Sequence, residues 1–367
     1  MLFLLILCSA ASFLACGLLI RYGREHSQQY GTDVVQRFHA GHVPRLGGLG
    51  IFAGCTAGWA WMAISNHFQL GNQLRVSFGV AGTLWLVTML TVAGGAAEDL
   101  TQRLPAIYRL MLTVAAAMMA VGIFNMGVTR LALPGVDTIL AEYPWTGMAF
   151  AVFAICGLPH AFNLIDGYNG LAGTVAMVVC FALAYVALQV GDRQLAAMVL
   201  VVAGGTVGFL VWNYPRGLIF AGDGGAYLWG VVIAIASIQL VMRHNEVSPW
   251  FPLLLLIYPV WETMFSIYRK VVRGVSPGVA DALHFHQLIY RRIVREVFHD
   301  DEARRMLMRN NRTSPYLWGF ALLTVTPAVL FWNNTPALML CAFVFVVSYV
   351  YAYISIIRFK VPRWLRR

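Results

Sequence analysis

Charge is what this chain has least of. Asp, Glu, Lys and Arg make up 11% of its 367 residues, against about 25% in a soluble domain. With 59% hydrophobic residues and a mean hydropathy of +0.69, too little polar surface remains to cover a water-facing fold. A soluble enzyme or binding module is therefore excluded. Informative cysteine is also lacking. Cys8, Cys16, Cys55, Cys156, Cys180 and Cys341 all lie in apolar stretches and form no CxxC pair, so they read as small apolar packing residues and carry no firm signal of redox chemistry or metal binding. No repeat, low-complexity tract or linker breaks the chain, so residues 1–367 are expected to form one integral domain. No basic residue precedes the first apolar stretch, so residues 1–20 are expected to be a retained span rather than a cleaved signal.

What the chain has in abundance is apolar runs. A span needs about 20 such residues, and eleven segments qualify: 1–20, 47–65, 77–95, 106–126, 146–162, 171–190, 194–212, 225–242, 250–268, 313–331 and 337–357. An all-α, polytopic membrane protein with about eleven transmembrane helices is expected. The formal net charge is +10, but it is not spread evenly. If the spans alternate, 21 of the 26 basic residues fall on one side, in the loop with Arg21, Arg24, Arg37 and Arg45, at Arg103 and Arg216, in the long segment 269–312, and in the tail. The positive-inside rule then puts the N-terminus outside and the C-terminus in the cytoplasm. The basic balance reports topology and contact with anionic membrane lipids, and no nucleic-acid partner is needed.

With that topology the acids sort by side. Glu98 and Asp99 end the third span, Asp166 follows the fifth in NLIDGYNG, and Asp223 follows the seventh in FAGDGGAYLWG. All four face the expected cytoplasm. Acids at a span mouth can be solvated turn residues, and Asp-Gly is an ordinary turn dipeptide. Three loops returning acids to one face, two of them with glycines that admit close backbone approach, point instead to a phosphate and metal site. The segment 269–312 adds His284 and His286 beside Arg291, Arg292 and Arg295. Ile289, Ile293 and Val297 recur every four positions from 287 to 298, which predicts a basic amphipathic helix on the membrane surface. Glu262, about two turns inside the ninth span, reads as a structural acid satisfied by a neighbouring loop or span. Together these residues describe a Mg2+-assisted site for one lipid phosphate and one soluble phosphorylated molecule.

Six collinear stretches carry a resemblance: HAGHVPRLGG (His39 to Gly48), EDLTQRLPAIYR (Glu98 to Arg109), NLIDGYNGLAG, FAGDGGAYLWG, PVWET and SPGVADALHFHQL (Ser276 to Leu288). In combination they resemble the polyprenyl-phosphate N-acetylhexosamine-1-phosphate transferases, glycosyltransferase family 4. The likeness is nearer to the bacterial undecaprenyl-phosphate GlcNAc-1-phosphate transferase branch than to the phospho-N-acetylmuramoyl-pentapeptide transferases.

The resemblance implies transfer of N-acetylhexosamine-1-phosphate from a UDP-N-acetylhexosamine to undecaprenyl phosphate, with release of UMP. The product would initiate O-antigen or another cell-envelope polysaccharide. It implies a site on the cytoplasmic face of a bacterial inner membrane and Mg2+ as cofactor, with Mn2+ as a compatible substitute; homodimerisation is compatible with it. By position it implies Asp223 and Asn163 as metal ligands and Asp99 with Glu98 as the catalytic acidic pair. The expected substrate contacts are Asp166, Asn169, His284, His286, Arg291, His39 and Arg45. Asn169 and Glu98 stand where many members have Asp, and Gln287 where many have His. A phosphate monoester has its second pKa near 6, so the lipid nucleophile hardly needs a base, and Asp99 is expected to orient first and accept a proton second. A transporter or flippase for a lipid-linked sugar is the competing class. It would place acids near the midplane with repeat symmetry.

Overall fold

The computed structural model describes residues 1–27, 42–69, 76–276, 283–294 and 297–358. These form α-helices and no strand. In chain order they are α1 (Leu2–Ser27), α2 (Gly47–His67), α3 (Phe78–Thr101), α4 (Ala106–Phe124), α5 (Pro134–Glu142), α6 (Pro144–Ile165) and α7 (Leu171–Gln189). There follow α8 (Arg193–Asn213), α9 (Gly222–Arg243), α10 (Trp250–Leu255), α11 (Ile257–Val272), α12 (Phe285–Arg292), α13 (Glu302–Leu330) and α14 (Thr335–Ile357).

Among the described residues, nine helices are long and apolar enough to cross a bilayer: α1 to α4, α6 to α9, and α14. They fall on the first eight expected segments and the eleventh. The other two differ for local reasons. The ninth breaks at Leu256 into α10 and α11, because Pro259 has no N–H to offer the carbonyl four residues back. The tenth is the apolar second half of α13, whose first turns lie in the polar segment expected as a loop. Residues 269–312 are thus largely helical where described, with α11 running to Val272 and α12 and α13 after it.

In a bilayer, helices associate through close packing of small residues rather than through expulsion of water. Here α9 is the most enclosed span, with 83% of its apolar window buried, whereas α1, α4 and α14 bury 28% and present the rest to lipid. Three helices meet almost backbone to backbone at one end of α9. A Cβ added to Gly95 of α3 would lie 2.4 Å from the Gly224 nitrogen, and one on Gly48 of α2 would lie 2.2 Å from that of Gly225. The start of α2 is also stitched to the chain entering α9, since Gly47 and Gly48 donate N–H bonds to the carbonyls of Phe220 (2.8 Å) and Ala221 (2.9 Å).

The helix expected on the membrane surface is corrected. It ends at Arg292, and Phe285 to Tyr290 are buried rather than laid on a lipid surface. The reason lies in α12's ends. Arg309 of α13 donates to the carbonyls of Tyr290 and Val294 (both 3.0 Å), and Arg292 donates to those of Ile356 (2.8 Å) and Ile357 (2.5 Å) at the end of α14. Cations on carbonyl ends complement the helix dipoles, and they draw the segment into the bundle.

Candidate functional site

The site is built on the N-terminus of α9. The first N–H groups of a helix lack intrahelical partners, and the GDGG turn has no side chain of its own to cap them. Asp99, in the last turn of α3, does so from outside. Its two carboxylate oxygens accept the N–H groups of Asp223 and Gly224, both at 3.0 Å. Negative charge at a helix N-terminus is favoured by the dipole. Gly222 has φ +68°, and a Cβ there would lie 2.3 Å from the Arg45 carbonyl and 2.4 Å from the Asp99 carboxylate. Both the left-handed backbone and the lack of room require glycine.

Asp223 therefore projects from the first turn of α9. It is ion-paired with Arg109 of α4 and accepts the Tyr227 hydroxyl at 3.3 Å. The Arg109 Nε–H is buried and makes no hydrogen bond among the described residues, so the guanidinium retains an unused donor. Glu98, beside Asp99, turns the other way. Its carboxylate accepts the Leu104 N–H at 2.7 Å and clips the turn between α3 and α4.

The NLIDGYNG turn closes a second wall. Asp166 ends α6, one turn after Asn163, and is only partly exposed. Burial, and then the nearby charge of Asp223, push its carboxyl up to about 7, with Arg45 pulling the other way. Two carboxylates and the Arg45 guanidinium thus share one electrostatic neighbourhood. Asn169 is placed elsewhere. Its N–H donates to Asn310 (2.8 Å) and its amide to Asn311 (3.0 Å), and its carbonyl accepts from Ser314 (2.6 Å). Expected on the substrate side, it is buried against α13, because its backbone and side chain together supply three bonds that hold the turn there.

The HFH stretch forms the third wall. The His284 and His286 rings stack with centroids 5.4 Å apart and planes 6° apart, and the His286 Nε2 lies 3.1 Å from where a Cβ on Gly167 would stand. His286 thereby packs on the turn that carries Asp166. His284 is held from below by Glu262, which is fully buried. Glu262 meets His284 Nδ1 at 3.2 Å, accepts the Phe285 N–H at 3.1 Å and takes the Tyr349 hydroxyl. This is the structural acid expected from the sequence, now with named partners on α12 and α14. Arg291 is exposed on α12, and His39 lies outside the described residues.

Three site residues escaped sequence reasoning. Arg109, one turn into α4, stands in the sequence only as the last residue of the EDLTQRLPAIYR stretch. His160 lies one turn before Asn163 on α6, 3.2 Å from the Thr113 hydroxyl and T-packed on the Tyr227 ring at 5.1 Å. Tyr227 reaches Asp223. A usable signal existed for the first two, since an ionisable side chain within a span marks function by default. Tyr227 carried none, because aromatic residues are common in spans.

Carboxylates, arginines and imidazoles around a helix N-terminus that Asp99 caps suit the binding of phosphates near a hard cation. Comparison with known proteins agrees. The chain is 28% identical over 252 residues to a protein of Bacillus subtilis (strain 168) named probable undecaprenyl-phosphate N-acetylglucosaminyl 1-phosphate transferase, covering 68% of this chain and 66% of the relative. It is 24% identical over 291 residues to the undecaprenyl-phosphate alpha-N-acetylglucosaminyl 1-phosphate transferase of Escherichia coli (strain K12), covering 76% and 74%. It is 28% identical over 218 residues to the phospho-N-acetylmuramoyl-pentapeptide-transferase of Bartonella quintana (strain Toulouse), covering 55% and 60%. The match to the Bacillus relative thus spans just under two thirds of that protein's length. Residues 81–241, which hold Asp99, Arg109, Asp166 and Asp223, match the family model described as glycosyl transferase family 4, and over that stretch the chain is similar to this family.

Proposed function

We propose that this protein transfers N-acetylhexosamine-1-phosphate from a UDP-sugar to undecaprenyl phosphate, at the cytoplasmic face of a bacterial inner membrane. The observation that carries this reading is the meeting of Asp99, Asp223, Arg109, Asp166 and Arg45 at one end of α9. A flippase would place its acids near the midplane, whereas these lie at helix ends. The names of the relatives point to the same lipid acceptor.

In the reaction, an oxygen of the lipid phosphate bonds to the sugar-bearing phosphorus of the UDP-sugar. The bond from that phosphorus to the bridging oxygen breaks, and UMP leaves with that oxygen. Such transfer is chiefly positioning and charge neutralisation. Arg45 and Arg109 are suited to lower the repulsion between two anionic substrates, and the stacked His284 and His286 bound the cleft over the Asp166 turn. Asp99 is the positioning acid: both its oxygens already hold the GDGG turn, so proton abstraction would compete with that task.

The donor set also fits Mg2+. Asp223 and Asp166 are hard oxygen donors, and burial, then the charge of Asp223, raises Asp166. Mg2+ takes one or two carboxylates and completes its shell with water and phosphate. Asp223 and Asn163 would hold it, beside Asp166. When bound, it would neutralise charge on the diphosphate. Asn169 and Glu98 are assigned to holding their turns rather than to substrate.

The test is UMP release by purified protein in nanodiscs. UMP should appear from a UDP-N-acetylhexosamine only when undecaprenyl phosphate and Mg2+ are both present. Release independent of the lipid, or none with any UDP-N-acetylhexosamine, would sink the reading. The panel of sugars that support turnover identifies the donor.

A further inference from the structure

Below the acids, the polar surface continues one turn deeper on three helices at once. Along α4, Arg109 is followed by Thr113; along α9, Asp223 by Tyr227; along α6, Asn163 is preceded by His160. These meet. His160 Nε2 is 3.2 Å from Thr113 Oγ1, the His160 ring packs on Tyr227, and Tyr227 bonds Asp223.

The Thr113 hydroxyl has two neighbours, the Leu110 carbonyl at 2.9 Å and His160 Nε2 at 3.2 Å. With its one proton on the carbonyl, Thr113 accepts from the imidazole and Nε2 carries the hydrogen. The other ring nitrogen, Nδ1, makes no hydrogen bond among the described residues. Nearby, the Arg109 Nε–H is a buried polar atom without a partner, whereas His160 is half-buried and its Nδ1 is within reach of a ligand. An accessible ring nitrogen and an unused donor on facing helices can be completed by one ligand.

Depth selects which ligand. Thr113 and His160 lie one turn further into the apolar slab than Arg109 and Asn163. On α4, Thr113 is buried while Ile107, Met111 and Met118 are exposed on the face turned away from it, so the pair lines the inner side of that helix. A soluble nucleotide enters from the polar end, while a phosphate carried on a lipid chain reaches deeper into the slab. We infer that His160 is a further substrate-binding residue, contacting through Nδ1 the phosphate of the lipid acceptor that Arg109 also engages. This rests on the transfer reaction proposed above. One proton serves the Nδ1–phosphate hydrogen bond, supplied by the monoester or by the imidazolium, so no other reactant is needed.

The test separates binding from turnover. Affinity for undecaprenyl phosphate in nanodiscs is compared with that for phosphate-free undecaprenol, in the wild type, His160→Gln and Thr113→Val. The wild type should prefer the phosphate lipid, and His160→Gln should lose about ten-fold of that preference, as expected for one charge-assisted hydrogen bond. Thr113→Val keeps the imidazole but frees its tautomer, and should lose less. In assays of UMP release, His160→Gln should raise KM for the lipid about ten-fold while KM for the UDP-sugar stays within about two-fold. Unchanged lipid affinity in His160→Gln, or a change confined to the UDP-sugar, overturns the assignment. Absence of UMP release by the wild type overturns the transfer reaction instead, and the binding arm still judges His160.

Discussion

The two ends of α9 use the same residue types to opposite effect. At its C-terminal end, Arg130 gathers the carbonyls of Val241, His244 and Val247. There Asp192 caps α8 through the Leu195 N–H at 2.9 Å and contacts Arg243 and His244, both at 3.2 Å. Burial alone would raise the Asp192 carboxyl, but the Leu195 N–H, His244 and Arg243 outweigh it and hold it below the usual range. An unpartnered Nε–H does not separate the two ends, since Arg109 and Arg130 each keep one. The acids do: at the N-terminal end, Asp166 is pushed up by burial and then by the charge of Asp223. At one end the acid is satisfied by cations and a helix N–H. The other is under-compensated in a way that a phosphate or a cation would relieve, and that asymmetry distinguishes a site from a structural turn.

Substitutions can break or sharpen the contrast. The largest effect is expected from Asp223→Asn, which should abolish Mg2+-dependent UMP release, a loss of about 10^3-fold or more. Its melting temperature should stay near that of the wild type; near-normal turnover would remove Asp223 from the metal assignment. Asp99→Asn should follow at about 10^2-fold in kcat, since an amide offers one good acceptor to two N–H donors. Recovery of turnover at high pH would favour proton abstraction over orientation, since raised pH replaces a base but not a helix cap.

Asn169→Ala removes only the side-chain bond to Asn311 and should cost about 1 kcal/mol of stability by thermal or denaturant unfolding. KM for the UDP-sugar should hardly move, and a selective rise in it would return Asn169 to the substrate side. The smallest effect belongs to Asp192→Asn, with activity unchanged. Because the folded-state carboxyl of Asp192 is depressed, its contribution is present above the unfolded carboxyl's range and is lost as pH falls through the folded value. The stability gap between wild type and variant should therefore close in acid. A gap that is flat with pH would show that the ion pairs do not matter there.

How much was legible beforehand depended on range. Composition and apolar runs foretold the helices, because a bilayer leaves a spanning chain no other way to satisfy its backbone than a helix or a closed barrel. The acidic motifs announced themselves because charge at a span end is rare. What failed was whatever depended on a partner far along the chain. Ile289, Ile293 and Val297 have the spacing of a surface helix, yet α12 is buried because Arg309 and the end of α14 meet it. Asn169 has the look of a ligand residue, but Asn310, Asn311 and Ser314 claim it from about 140 residues away.

By itself, then, the sequence determined the solvent, the secondary structure and the list of candidate acids, since these follow from local composition and the cost of burying polar groups in lipid. Only the tertiary structure decided their roles. Asp99 became the cap of another helix, Glu98 the clip of a turn, and Arg109 and His160 the neighbours of Asp223. Hydrogen-bond donors and acceptors are assigned by which atoms come within about 3 Å, and that is a property of packing.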